Sequence, residues 1–453
     1  MTKRAPQRER RPAGAREVAL QILTATESRR AYSDRLLESR LRESRLSPRD
    51  AALVTALVQG TLRHRAFLDH HLAAFAGERW EGLPLWIRQI LRLGAMQILV
   101  MTRVPAPAAV DESVKLAKKY GHPGTAGLVN ALLRRLAGGE RAPLPDAAAD
   151  PAGHLAAAHS HPRWLVERWL KRYGLEETTL LLAADNVEPR VSVRGNRRRG
   201  SIESLAQSLR AEGLTVTPGP NGGPVLLVGE GFVAARSPLF REGALSLQDE
   251  AEAVVVALLD PQPGNAALDA AAAPGGKASQ LVEAVLPGGY VVALERHESR
   301  ARALRSNLVE RLSLPRAWTV AGDAAAPPVR GPFDRVLVDA PCSGLGVLRR
   351  RADARWRKEE GAIAEMAALQ TPLLEGVAPL VRPGGVLVYS VCSLEPEETE
   401  EIVIPFLKRH PEFSLEDARP FLPPRFRGDD FYLRATPHRH GTDGVFAARL
   451  KRG

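Results

Sequence analysis

The sequence predicts a multidomain chain: an all-α N-terminal domain, a small α/β middle module and a C-terminal doubly wound α/β domain. Three observations predict it. Apolar residues recur at helical spacing from about residue 15 to 136 with no strand signal between them. Short strand-like runs share residues 161–245 with one helix. From about Ser246 onward, apolar strand runs alternate with helical segments, as in a parallel sheet with crossover helices. At 453 residues the chain also exceeds one ordinary core.

In order, residues 1–14 form a basic tail carrying Lys3, Arg4, Arg8, Arg10 and Arg11. In the helical domain, 15–137, Ser47 is placed to cap a helix with Pro48 at its first position and Asp50 in its first turn. Leu53, Val54, Leu57, Val58 and Leu62 then follow on one face. A second stripe runs through Trp86, Ile90, Leu93 and Ile98, and a third through Leu128, Leu132, Leu133 and Leu136. Residues 138–160 are small and Pro-rich without a large apolar face, which predicts a linker. The module at 161–245 combines a helix over Trp164–Tyr173 with strands at Arg190–Arg194 and Val225–Val228. Residues 246–453 form the third domain.

Composition narrows the function classes. Hydrophobic residues at 44% and charged residues at 25% describe a chain able to bury sizeable cores. A formal charge of +11 favours a polyanionic partner, because Lys and Arg clusters bind phosphates by counterion release; compositional bias is the alternative source of that charge. The only cysteines are Cys342 and Cys392, without C-x-x-C spacing, so a disulfide framework or thiolate zinc site is not expected. His438-Arg-His440 lacks partners for a metal, and no metal is expected. With no apolar h-region and no run of about 18 apolar residues, a cytoplasmic protein is expected.

The chemistry gathers in the last domain. The strand Ala266–Asp269 runs into Ala270-Ala-Ala-Ala-Pro-Gly-Gly-Lys277, and a helix follows. A strand, a small-residue loop and a helix N-terminus form a backbone cradle for a ligand. It is neither a P-loop nor a dinucleotide fingerprint, since Ala271 and Ala278 stand at the diagnostic P-loop positions and G-x-G-x-x-G is missing. The next strand, Tyr290–Glu295, ends in a carboxylate suited to ribose hydroxyls. Asp269, Glu295, Asp339 and Cys392 all fall at the carboxyl ends of predicted parallel strands, with Asp323 just beyond another, and ligand crevices form along that edge. A helix N-cap is the structural alternative for Asp339, and a Gly-Asp turn that for Asp323.

These residues resemble the RNA cytosine-C5 methyltransferases, most closely the B type that acts on small-subunit (16S) ribosomal RNA (Sun/Fmu). The resemblance covers nearly the whole chain and is carried by Asp269-Ala-Ala-Ala-Ala-Pro-Gly-Gly-Lys277, Asp339-Ala-Pro-Cys-Ser-Gly-Leu-Gly346 and Tyr389-Ser-Val-Cys-Ser393, in that order, with Ser246-Leu-Gln-Asp249 ahead of them. The N-terminal helices resemble the RNA-binding domain of the antitermination protein NusB. The resemblance implies a Rossmann-like catalytic domain using S-adenosylmethionine, a middle module that binds RNA, ribosomal RNA as partner and a monomeric enzyme. It implies a methyl-donor cradle at Ala271, Ala272, Ala273, Pro274, Gly275, Gly276 and Lys277, a ribose contact at Glu295 and an adenine contact at Asp323. Asp339 would sit beside donor and target base, Cys392 would be the nucleophile, and Cys342 would assist product release. The chain departs from the usual pattern in having Ala271 for Cys, Ala278 for Thr, Glu295 for Asp, Ala352 for Pro and Thr399 for Asn.

The residue types suit the reaction. Cytosine C5 is a poor nucleophile until a thiolate adds at C6. Asp339 in its protonated form, or an equivalent hydrogen bond, can support charge at N3, and a thiolate needs nearby positive charge such as Lys277 or a helix N-terminus. Arg349, Arg350, Arg351 and Arg355 follow the first cysteine with Trp356 among them, an expected RNA rim whose alternative is a solvated basic face. Arg194 and Arg197–Arg199 are further basic candidates. Transfer RNA, another RNA or DNA as substrate, and a non-catalytic RNA-binding factor, are the rival readings.

Overall fold

The computed structural model describes residues 14–44, 46–229 and 231–453; the basic tail lies outside them, apart from Gly14. The chain forms two compact units, one comprising residues up to Asn186 together with Arg351–Arg357, the other Val187–Arg350 and Lys358–Gly453.

The first unit is helical. The three stripes form the helices Pro48–Arg63, Leu85–Leu99 and Pro123–Ala137, and Ser47 Oγ accepts the Asp50 amide as the sequence predicts. Val54, Leu57, Val58, Ile90, Leu93, Leu132 and Leu133 are buried in one core with Leu20, Ile22 and Leu23 of the helix Ala15–Ser28. Inside it, the Arg92 guanidinium is held by two hydrogen bonds to Asp69, both 2.7 Å, and one to Glu27 at 2.8 Å.

The expected linker is partly helix. Pro151–His159 is capped by Asp150, whose carboxylate accepts the Gly153 amide, and buries Ala152, Leu155, Ala156 and Ala157 beside the helix Arg65–Ala76. A face of alanines buries little area per residue, so it escapes a search for large apolar stripes. The helix expected over Trp164–Tyr173 extends across Arg163–Asp185, broken at Gly174, and lies in this first unit.

The second unit holds two sheets. Strands β1 (Val191–Gly195), β2 (Val216–Pro218), β3 (Leu226–Val228) and β4 (Leu245–Leu247) form an antiparallel sheet ordered β2-β3-β1-β4. The helix Ile202–Ala211 covers it through Leu205 and Leu209. The larger sheet contains β5 (Ala266–Asp269), β6 (Tyr290–Glu295), β7 (Ala317–Ala321), β8 (Phe333–Asp339), β9 (Val381–Val391), β10 (Phe413–Glu416), β11 (Leu433–Ala435) and β12 (Val445–Arg452). Its order is β10-β12-β9-β8-β5-β6-β7, with β11 also paired to β12. From β7 to β9 every pairing is parallel, whereas β12 joins β9 antiparallel.

Strand alternation builds two apolar layers. Leu268, Val336, Val338, Leu387 and Tyr389 face one, with the helices Gly361–Val377 and Glu400–Arg409; Ala267, Leu337, Val386 and Val388 face the other, with Glu250–Ala257 and Gly276–Val285. The chain leaves β5 toward β6 and β7, then crosses back to β8. The switch point therefore lies between the carboxyl ends of β5 and β8, where open α/β sheets bind ligands.

Candidate active site

Register places the predicted residues along that edge. Asp269 closes β5, Glu295 closes β6, Asp339 closes β8 opposite Ser390 of β9, and Cys392 follows β9. Cys342 comes three residues after Asp339.

The loop after β5 is fixed from behind. Its Ala270 and Ala272 amides donate to the carbonyls of Leu337 and Leu294, and its Ala273 and Pro274 carbonyls accept from Arg300 and Asn307. Gly275 has φ +108°, and a Cβ there would lie 2.8 Å from Leu304 Cδ1, so both backbone and space demand glycine. The helix Gly276–Val285 starts immediately after it, with its first-turn amides facing the crevice end of the sheet. The cradle expected over Ala271–Lys277 is thus a rigid turn.

Two carboxylates flank it. Glu295 is buried, accepts the His297 amide at 3.0 Å and lies 3.4 Å from Arg300. Asp323 beyond β7 accepts the Ala325 amide at 2.9 Å and lies 3.3 Å from Arg296. The turn-forming alternative for Asp323 is therefore realised, and its other oxygen, Oδ2, is the one that faces Arg296. No helix begins at Asp339, so the capping alternative there is not.

Asp339 instead joins the cradle lysine to β9, two residues ahead of Cys392. Its Oδ2 accepts from Lys277 Nζ at 2.8 Å and its Oδ1 from Ser390 Oγ at 2.7 Å. Burial works against the Lys277 ammonium, but the Asp339 and Glu252 carboxylates and charge on Cys392 outweigh it and hold the amine above the usual lysine range. Asp269, fully buried, moves the opposite way. Burial, then the Asp339 charge, push its carboxyl up to about 7 against the pull of Lys277 and the Ala271 amide. Asp269 Oδ1 is buried with no hydrogen-bond partner.

The two sulfurs face each other at 2.9 Å as free, half-buried thiols. Their loops touch through Gly346, whose amide donates to the Cys392 carbonyl and whose carbonyl accepts from Gly444; a Cβ on Gly346 would stand 2.3 Å from the Gly444 carbonyl. Burial of Cys342 and its hydrogen bond to Cys392 act together. The hydrogen bond is the larger cause, and with burial and charge on Cys392 and Glu398 it pushes the Cys342 thiol well above the usual range.

The arginine rim needs correction. Arg355 is fully buried in the first unit, donating to the carbonyls of Ser160 at 2.9 Å, Asp185 at 3.2 Å and Arg63 at 3.3 Å and to Asn186 Oδ1 at 2.9 Å. Arg349 is buried against the Thr442 carbonyl, and Arg350 bridges Asp249 and Asp443 at 2.6 Å each. Internal acceptors consume all three, and only Arg351 of the four is exposed. Arg194 is likewise internal, held by Gln248, Glu283 and Ser279, whereas Arg197–Arg199 are exposed. Sequence reasoning missed Ser390, Glu252 and Glu398. Ser390 carried a signal, standing inside the Tyr389-Ser-Val-Cys-Ser393 motif; the register that sets it level with Asp339 did not.

Three stretches of the chain match known families. Residues 256–451 match the 16S rRNA methyltransferase RsmB/F family, residues 13–138 the NusB family and residues 161–232 the ferredoxin-like domain of RsmF/B-like methyltransferases. The probable ribosomal RNA small subunit methyltransferase B of Bacillus subtilis (strain 168) is 35% identical over 449 residues, spanning 96% of this chain and 98% of that protein. The ribosomal RNA small subunit methyltransferase B of Serratia proteamaculans (strain 568) is 33% identical over 89% of this chain and 91% of its own length. Among solved structures, PH0851 superposes with a TM-score of 0.81 at 27% identity over 98% of this chain and 100% of that one. A methyltransferase homolog from Pyrococcus horikoshii gives 0.55 at 26% identity over 66% of this chain and 98% of its own. Motifs, site geometry and near full-length identity agree: this chain belongs to the RsmB/F family of 16S rRNA methyltransferases, in the form that carries a NusB domain and a ferredoxin-like domain.

Proposed function

We propose that the protein methylates C5 of a cytosine in small-subunit ribosomal RNA, with S-adenosylmethionine as donor, through a covalent bond between Cys392 and cytosine C6. The observation that carries this reading is the thiol pair beside the Lys277–Asp339 bridge, at the mouth of a turn that requires glycine at position 275.

The residues present suit the donor. Gly275 lets the turn close against Leu304, Gly276 leaves the helix N-terminus open, with only Gln248 within 4 Å (3.9 Å) of a Cβ built there, and Asp269 offers an unpartnered oxygen beneath. Residues Ala271–Lys277 would hold the donor's amino-acid portion, Glu295 its ribose and Asp323 its adenine edge. When bound, S-adenosylmethionine supplies an electrophilic methyl group on a sulfonium.

The protein's own groups prepare the acceptor. Cys342, whose thiol is pushed up by its contact with Cys392 and by burial, keeps its proton, and Cys392 is the nucleophile that adds at C6. The Lys277 ammonium favours negative charge at this end of the sheet. Asp339, placed by Lys277 and Ser390, would support charge at N3 in its protonated form, donating a hydrogen bond to N3 as the adduct forms, and so make C5 nucleophilic. Loss of the C5 proton to a base then expels the Cys392 thiolate, with Cys342 placed to return a proton to it. Exposed Arg351 and Arg197–Arg199 would contact phosphates.

Methyl transfer from labelled donor to unmethylated small-subunit RNA, transfer RNA and DNA, followed by nucleoside mass analysis, tests the reading. Label in 5-methylcytosine of small-subunit RNA, lost in Cys392→Ala with donor binding kept, is expected. No label in any polymer, or unchanged transfer by Cys392→Ala, overturns it.

A further inference from the structure

The two sulfurs sit on separate loops, and a buried carboxylate lies beneath both. Glu398, in the turn Pro396–Glu398, is fully buried. Its Oε1 accepts the Ser343 amide at 2.7 Å and Gln370 Nε2 at 3.1 Å. Its Oε2 accepts the hydroxyls of Ser343 and Ser393, each at 2.5 Å. Ser343 follows Cys342, and Ser393 follows Cys392. One carboxylate therefore grips the residue after each cysteine.

The grip has its own frame. Gln370, on the helix Gly361–Val377, also donates to the Pro341 carbonyl at 2.9 Å, and the Tyr389 hydroxyl of β9 lies 2.9 Å from Gln370 Oε1 and 2.7 Å from the Glu398 carbonyl. Four donors suit an acceptor-only carboxylate, and charge-assisted hydrogen bonds exceed neutral ones in strength. Burying an unpaired carboxylate is costly, so a site chosen for stability alone is better filled by an apolar residue. What this arrangement gives instead is a fixed separation between two loops that nothing covalent joins.

We infer that Glu398 is a positioning residue that holds both cysteine loops in register, so that the Cys342 and Cys392 sulfurs meet at one reaction point. The inference rests on the two-thiol reading above, yet it can be tested without methyl transfer. Cys342 and Cys392 are the only cysteines, so oxidation by diamide within one chain closes only this pair. Each thiol gives up one proton and one electron, the sulfurs bond, and the azo group of diamide is reduced to a hydrazine.

The experiment compares full-length wild type with Glu398→Gln, which is isosteric but cannot accept from all four donors. Free-thiol titration is expected to show pair closure slowed about ten-fold or more, and kcat on RNA reduced about a hundred-fold, as for a misplacement near 1 Å, with KM for RNA and donor affinity near wild type. Closure at the wild-type rate overturns the inference, whatever happens to kcat. If Glu398→Gln does not fold, Ser343→Ala with Ser393→Ala removes both hydroxyl grips and keeps the carboxylate. Slowed closure in that double variant supports the inference, and wild-type closure overturns it. Wild type that closes its pair but methylates nothing would reject the enzymatic reading and leave the clamp standing.

Discussion

Cys342 and Cys392 share a chemistry and differ in what faces them. Cys342 is held protonated by its hydrogen bond to Cys392, by burial and by neighbouring negative charge, Glu398 included. Iodoacetamide at neutral pH should therefore label Cys392 first, with Cys342 lagging about ten-fold or more because the thiolate is the reactive species. Peptide mass mapping reads the order, and equal labelling would contradict the assignment. Asp269 makes a separate prediction. Its folded-state pKa, up to about 7 through burial and the Asp339 charge, exceeds its unfolded value, so the folded protein keeps a proton that the unfolded chain releases. Asp269 then makes stability fall as pH rises from about 4 to about 7, by about 1.4 kcal/mol per unit for one group, and contributes no slope above that window. Asp443, also raised to about 7 by burial and by Asp249, adds its own slope. Asp269→Asn should remove one share of the slope, read from melting temperature against pH; an unchanged slope would show that the group ionises normally.

At the scale of elements, the turn from β5 into the helix Gly276–Val285 carries the greatest constraint. Gly275→Ala would force a side chain into a left-handed conformation and against Leu304. The expected cost is about 2 kcal/mol of stability, with donor affinity lost in larger proportion because the cradle backbone must shift; calorimetric titration and thermal unfolding check both. The sequence made this element legible because strand, small-residue loop and helix each leave a local pattern. Asp339 and both cysteines were legible for the same reason, since each follows a strong apolar strand. The helix Pro151–His159 was not, because its buried face is made of alanines. Nor was the fate of the arginines after Cys342. A run of Arg reports charge, whereas the acceptors that bury Arg355 come from residues 63, 160, 185 and 186, far away in the chain. Glu398 was illegible likewise, because its partners converge only after β8 and β9 pair in parallel.

For the whole molecule, the path of the chain matters. Residues 351–357 belong to the helical unit although the sequence on either side belongs to the second unit. They are anchored there by Arg355, by Trp356 Nε1 donating to the Leu62 carbonyl and by the Arg357 guanidinium 4.0 Å over the Tyr32 ring. Arg355→Ala should therefore cost the helical unit about 3 kcal/mol through unpaired buried acceptors, visible as faster hydrogen exchange there, while leaving the salt dependence of RNA binding unchanged. Arg351→Ala should do the reverse, lowering the salt slope by about one with no loss of stability.

The most direct test of the central claim is the position of the covalent bond to RNA. Cys342→Ala, incubated with unmethylated small-subunit RNA and S-adenosylmethionine, nuclease-trimmed and mapped by peptide mass, should accumulate a nucleotide on Cys392, while Cys392→Ala should form no adduct. An adduct on Cys342 in Cys392→Ala, with none in Cys342→Ala, would contradict the account.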